Sequence, residues 1–464
     1  MHFSSILKRA LPHVAIISGA TLLSATASAQ TTPQNILPQK AEIQEQSVEA
    51  DSGAFISEPV VQAIDAMAEP EYPVVQVWTT EAATALLTMV EGLGAEGLDP
   101  AEYEPQVLRE AIAAGTGGTL DRTASKTFAW LVEDLRDGRT PMDGRKQWFV
   151  LDPDQDRYPT GKLMAQVLEE GDLAGTLEQI MPEHPDYYRL RDELAATLET
   201  DSKRRKLIRA NMDRWRWLAR DLGSQYLITN VPEYQLRLTV NDNIVRTYRT
   251  VVGKPGRNAT PQIAESVEGI VFNPTWTVPQ SIVKGEGLGN KVLNNPAWAK
   301  RAGYTATRTA NGWTSVVQQP GPTNSLGLMK LDMPNRHAIF LHDTPSRHLF
   351  KNAARALSHG CIRTERATEL AITLAILRGG KSADEAKSIM TSGKYTKVGF
   401  ETPMPVYITY FTMGQDIDGK LRTFKDIYDR DGAVLASFDK PRVANRSRVT
   451  GEQIIPIEDD LRDS

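Results

Sequence analysis

The chain predicts an α+β protein in which a helical scaffold precedes a mostly-β domain that carries a helical capping insertion. Three observations carry this. Apolar residues recur at helical spacing up to about Asp221, the period shortens to two after Gly223, and the alternation lapses between Gln280 and about Ala310.

Composition bounds the rest. With 464 residues, 41% of them hydrophobic and 24% charged, the chain has room for two or three domains. Its formal charge of -5 provides no whole-protein field for nucleic acid or an anionic bilayer, so no nucleic-acid partner is expected.

Lys8 and Arg9 precede an apolar run from Ala10 to Leu23, and Ala27, Ser28 and Ala29 form a small-residue cleavage site, so residues 1–29 read as an export signal. No other stretch reaches the ~20 apolar residues of a bilayer crossing, so no membrane span is expected after signal cleavage. Residues 30–74, rich in Gln, Glu, Pro, Ala and Ser, read as a disordered tether.

The helical scaffold is expected over residues 75–222. Leu86, Met89, Val90 and Leu93 share one helix face, as do Phe128, Leu131, Val132 and Leu135, and further helices follow near 160–180 and 185–200. Its last helix, Ser202 to Asp221, carries Arg204, Arg205, Lys206, Arg209, Arg214, Arg216 and Arg220 around Ile208, Met212 and Trp215. A solvated face with arginines packed over tryptophans is favoured there over a site for an anionic polymer.

The mostly-β domain is expected over 223–436. Gln225–Thr229, Tyr234–Val240 and Ile244–Val252 alternate as a meander through Pro232 and the turn Asn241, Asp242, Asn243, and Gly269–Phe272 begins a further strand. The insertion at about 280–310 reads as a lid, with the strands resuming at Trp313–Val317 and Leu326–Met333. Trp276, Trp298 and Trp313 read as core. Ala338–Leu341 is a buried strand ending on His342, and Ser358 to Cys361 are expected to lead directly into a helix bearing Ala367, Leu370, Ala371 and Leu374. Ser382 and Glu385 form a capping box. Pro405–Met413 and Leu421–Tyr428 read as strands, and 437–464 as a flexible tail.

Chemistry concentrates around Cys361, the only cysteine; His337, His342, His348 and His359 all lie within 25 positions of it. In an exported protein an unpaired cysteine is an intermolecular disulfide partner, a thiol kept for reactivity or a buried structural residue. At a helix N-terminus the dipole would favour its thiolate, and the Gly360 and Cys361 amides could meet a developing oxyanion. His342 is positioned as base and acid. His337 and His348 read as loop or surface residues. The histidines lack zinc-ligand spacing, so no metal is expected.

His342 followed by Ser358–Arg363 (SHGCIR) resembles the YkuD-type L,D-transpeptidases. Asn211–Leu218 (NMDRWRWL), Val251–Arg257 (VVGKPGR), Phe272–Pro279 (FNPTWTVP), Asn324–Gly327 (NSLG) and Leu341–Pro345 (LHDTP) extend the resemblance to the long periplasmic YcbB-like branch. The resemblance implies Cys361 as nucleophile, His342 as base, Gly360 with Cys361 as oxyanion donors, and Asp343 orienting the imidazole through its carbonyl or its carboxylate. It implies that His359, Arg363 and Ser358 shape the pocket and bind substrate. It further implies a periplasmic, cofactor-free enzyme of peptidoglycan biosynthesis and cell shape, acting on donor and acceptor peptide stems and open to carbapenem attack. Hydrolysis of the stems, or attachment of an outer-membrane protein to peptidoglycan, are the alternative outcomes of the same site. The interval 185–221 is too short for the peptidoglycan-binding module of many long relatives.

Overall fold

The computed structural model describes residues 74–454, apart from 242, 279, 286, 309, 311 and 445. The export signal, the tether up to residue 73, Asp242 of the expected turn and the last ten residues of the tail lie outside the described residues.

The apolar stripes of the first part become helices α1 (Thr80–Glu91), α2 (Pro105–Ala113), α3 (Gly118–Asp137), α4 (Asp154–Arg157), α5 (Thr160–Glu170), α6 (Leu173–Glu178), α7 (Pro185–Ala196) and α8 (Ser202–Trp215). Thr79 starts α1 by accepting the Ala82 N–H, and Asp201 starts α8 by accepting that of Arg204. The helix expected over 160–180 is two, because the chain turns left-handed at Gly171. Leu86, Val90, Phe128, Leu131, Val132, Leu135 and Met164 close one core.

The basic helix corrects its expected reading. Arg214 and Arg216 are 3% and 1% exposed. Arg214 pairs with Asp431 at 2.7 Å, and Arg216 donates to the Tyr187 hydroxyl and the Glu96 carbonyl, both at 2.6 Å. Arg209 donates to the Gly97 carbonyl and Arg204 to Glu193. Arg214 and Arg216 are internal fasteners rather than part of a solvated face, whereas the Arg204 side chain stays 41% exposed. Trp215 stacks on Phe411 at 4.4 Å, so α8 seals the helical part onto the β part.

The second part holds β1 (Gln225–Asn230), β2 (Gln235–Val240), β3 (Asn243–Gly253), β4 (Ile263–Phe272), β5 (Trp276–Thr277), β6 (Tyr304–Arg308), β7 (Thr314–Gln318), β8 (Met329–Asp332), β9 (Leu341–His342), β10 (Ala356–Ser358), β11 (Ile362–Thr364), β12 (Thr396–Thr409), β13 (Met413–Gln415) and β14 (Leu421–Thr423). Nine form one mixed sheet in the order β10-β3-β11-β9-β8-β4-β12-β1-β2, and a β2–β3 pairing closes the row into a ring. Most ladders are antiparallel, but β1 runs parallel to β12, β9 to β11 and β10 to β3. Leu227, Leu236, Ile270, Leu331, Leu341, Ile362, Val406 and Ile408 fill its core, with Leu370, Ala371 and Leu374 from a helix at Ala367–Leu377 packed among them.

The insertion is larger than expected. Short helices at Gln280–Gly285, Leu288–Asn294 and Pro296–Arg301 pack with a separate sheet, β5-β7-β6, around Trp276, Val278, Val283, Val292, Ala299, Val316 and Leu326. Thr314–Gln318 therefore does not resume the main sheet; its alternation serves a second, smaller one. Trp313, expected as core, is 47% exposed.

The stretch from residue 437, expected as a flexible tail, is fastened as far as it is described. Arg442 and Arg446 are 4% and 6% exposed in their side chains and pair with Asp134 of α3 at 2.8 and 2.7 Å. Arg442 also pairs with Glu133, and Arg448 with Asp156 at 3.0 Å. A polar sequence folds here because its partners wait, already buried, on the helical part.

Candidate active site

Cys361 does not stand at a helix N-terminus. The chain turns after β10 and enters β11, and the following helix begins only at Ala367, after Arg366 adopts a left-handed φ of 52°. Ile362 must reach the ring core and so draws the segment into the sheet. Activation of the thiol by a helix dipole is accordingly withdrawn.

The ladders bring the pair together instead. Ile362 and Arg363 of β11 register with Leu341 and His342 of β9. Cys361, one residue before, stands beside Phe340, whose N–H donates to Sγ at 3.3 Å. With alternation, His342 and Arg363 occupy the sheet face opposite the core residues Leu341 and Ile362. Cys361 is 2% exposed and His342 is fully buried.

His342 Nδ1 lies 2.5 Å from the carbonyl oxygen of Asp343. A carbonyl can only accept, so Nδ1 carries the proton and Nε2 is the basic nitrogen of the neutral ring. Of the two ways in which Asp343 was expected to orient the imidazole, the carbonyl is the one used. The carboxylate accepts the Leu328 N–H at 2.9 Å and meets Arg347 at 3.3 Å, holding the loop that follows β9.

The turn 358–361 corrects two further expectations. Ser358 Oγ donates to the Cys361 carbonyl at 2.7 Å and accepts the Gly360 N–H at 3.1 Å, so this hydroxyl holds the turn rather than a substrate. The same bond occupies the Gly360 amide, which removes it as an oxyanion donor. Gly360 has φ 131°, a conformation open to glycine. His359 is 7% exposed and lies within this turn.

Arg363 is fully buried, and none of its three guanidinium nitrogens hydrogen-bonds to a described residue. A buried cation left in this state costs free energy that an anionic partner would recover. Lys330 of β8 registers with His342, and its ammonium sits 3.4 Å from the centre of the Phe340 ring. Burial lowers the Lys330 pKa, while Cys361 and Asp332 act to raise it. Sequence reasoning missed this lysine, because only the β8–β9 register brings it beside the histidine.

Of the other histidines, His337 lies in a turn, as expected of a loop residue, but is buried, 5% exposed and 4.4 Å from the Phe149 ring. His348 is exposed in a short turn at Arg347–Lys351. Among the described residues no group of three or more His, Cys, Asp or Glu is placed to hold a metal ion, and no helix is long and apolar enough to cross a membrane.

Residues 224–424 match the family model of the L,D-transpeptidase catalytic domain, YkuD, and residues 75–194 match that of the Scaffold domain. A putative L,D-transpeptidase of Haemophilus influenzae is 28% identical over 220 residues, which is 44% of this chain and 44% of that protein. The chain thus matches less than half the length of that relative. Among solved structures, an L,D-transpeptidase from Mycobacterium smegmatis is 13% identical with a TM-score of 0.21, covering 40% of this chain and 58% of its own. L,D-transpeptidase 1 of Mycobacterium tuberculosis is 12% identical with a TM-score of 0.18, covering 40% and 61%. The sheet ring, its histidine on β9 with the cysteine just before the neighbouring β11, and the matched span together identify residues 224–424 as an L,D-transpeptidase catalytic domain of the YkuD family, carried behind a helical scaffold domain.

Proposed function

We propose that this protein is a periplasmic peptidoglycan L,D-transpeptidase of the YcbB-like branch, joining peptide stems through a thioester on Cys361. His342 Nε2 takes the thiol proton as Sγ attacks the carbonyl at the L-centre of meso-diaminopimelate, the third residue of a tetrapeptide stem. The C–N bond to the terminal D-alanine breaks, and the imidazolium returns the proton to the departing amine. An amine of a second stem then loses a proton to His342, attacks the thioester and releases the thiolate, which is reprotonated. The thioester keeps the acyl group reactive, so the exchange needs neither ATP nor a cofactor.

The observation that carries this reading is the Nδ1 contact to the Asp343 carbonyl, which makes Nε2 the basic nitrogen on the strand beside Cys361. Arg363, a buried guanidinium one residue from Ile362 on the same sheet face as His342, is assigned to a substrate carboxylate. His359 shapes the pocket wall. The expected role in wall biogenesis and cell shape follows from cross-linking.

The test is incubation of the mature protein with purified tetrapeptide muropeptides, with products resolved by mass. Cross-linked dimers with free D-alanine support transfer. Tripeptide monomers alone would make the enzyme a hydrolase, and unchanged muropeptides would refute both.

A further inference from the structure

We propose that Thr260 is a positioning residue for the reaction: its hydroxyl fixes the plane of the Gly360–Cys361 peptide and thereby aims the Cys361 N–H at the oxygen that becomes negative during acyl transfer. The proposal rests on the acyl-transfer reading of the site.

Thr260 is fully buried in the loop between β3 and β4, remote in sequence from the turn that carries Cys361. Its Oγ lies 2.9 Å from the Gly253 nitrogen and 2.7 Å from the Gly360 carbonyl oxygen. A backbone N–H can only donate and a carbonyl can only accept, so the single hydroxyl proton points at Gly360. In a planar trans peptide the carbonyl and the next N–H project to opposite sides. Holding the Gly360 carbonyl toward Thr260 therefore directs the Cys361 N–H away from the 253–260 loop.

This peptide needs an external hold. Gly360 lacks a Cβ, so the plane on either side of it turns at little steric cost. Ser358 fixes the peptide before Gly360 through the Gly360 N–H, which leaves the one after it to Thr260. Because the Gly360 amide is engaged, correct aim of the Cys361 amide matters more.

The clamp is itself braced. Tyr428 donates its hydroxyl proton to the Gly253 carbonyl at 2.5 Å and accepts the Thr260 N–H at 3.3 Å. Arg430 donates to the Thr260 carbonyl at 3.1 Å. Gly253 permits the approach: a Cβ there would lie 1.9 Å from the Asn258 carbonyl oxygen. The loop, the hydroxyl and the catalytic turn form one fixed unit.

Two rates separate aim from fold. Alkylation of Cys361 by iodoacetamide is displacement at carbon and develops no oxyanion, whereas acylation by a carbapenem passes through one, and the single cysteine makes both readings site-specific. Thr260→Val, nearly the same shape without the hydroxyl, is expected to alkylate within about twofold of wild type and to acylate about 10²-fold more slowly. Thr260→Ser, which keeps the oxygen, is expected to acylate within about threefold. A folded valine variant acylating at the wild-type rate would overturn the proposal, as would a parallel loss of both rates, which marks displacement of the sulfur. If the valine variant does not fold, Thr260→Ala is read by the same pair of rates. A wild-type protein that alkylates but neither acylates nor cross-links would instead refute the acyl-transfer reading, and the positioning role with it.

Discussion

Truncation after Lys440 removes Arg442 and Arg446 and strands Asp134, a carboxylate with no exposed surface. Burial pushes the Asp134 carboxyl up, and the two guanidiniums, with the Tyr103 hydroxyl at 2.7 Å, more than reverse this and hold it below its ordinary value. Without the arginines the carboxylate keeps the Tyr103 hydrogen bond and the charge of Arg139, which bonds to Glu102 instead. Removing the partner of a buried ion pair costs about 3–5 kcal/mol. The unfolding entropy of a protein this size is about 0.8 kcal/mol/K, so Tm should fall by about 4–6 °C. Differential scanning calorimetry at pH 7 measures it. Asp134→Asn in the truncated chain should recover part of the loss, because an amide needs no cation. The signs also differ with pH. In the full chain the lowered carboxyl contributes stability above its unfolded pKa, which is lost as pH falls through the folded value. In the truncated chain burial alone raises it, so stability should decline as pH rises past the unfolded value. A truncated protein with Tm within 1 °C of the full chain would refute the reasoning and return residues 437–454 to the status of a tail.

Cys361→Ala should abolish product with the fold retained, and His342→Ala should cut acylation by roughly 10²–10⁴-fold, both read by muropeptide mass analysis. Burial holds the His337 pKa near 4, so the folded state binds fewer protons than the unfolded one between about pH 4 and 6.5. Stability should fall as pH drops through that window, and His337→Gln should flatten this limb of a denaturant titration. Because the insertion has its own small core, replacing residues 278–318 with a Gly and Ser linker should leave the ring folded by circular dichroism and Cys361 open to acylation. If the insertion keeps water from the thioester, the dimer-to-monomer product ratio should fall; an unchanged ratio in a folded, acylating variant ends the lid reading.

What could be read from the chain was what local spacing encodes. The helical stripes, the β1–β3 meander and the Ser382 and Glu385 capping box announce themselves over short stretches of chain. What could not be read depends on partners far away in sequence. Ile362–Thr364 is too short to show a period beside a strong helix, so only its ladders to β3 and β9 make it a strand. Thr314–Gln318 alternates as a strand should, but alternation does not say which sheet receives it. Arg442 and Arg446 look like solvated charge until Asp134, some three hundred positions earlier, is found beneath them. Thr260 and Lys330 carry no local signature at all.

The closure of the ring has a consequence for when the protein can act. β12 lies between β4 and β1, so the first strand of the domain is completed only by the last long one. His342 ends a strand of two residues and Cys361 immediately precedes one of three, both far too short to hold register alone. Their alignment is inherited from the finished ring. A chain still being made, or held open in transit, has its thiol and imidazole but no shared face to carry them, and such non-local pairing is slow to form. By topology, Cys361 and His342 come into register only once residues up to 409 have arrived and paired.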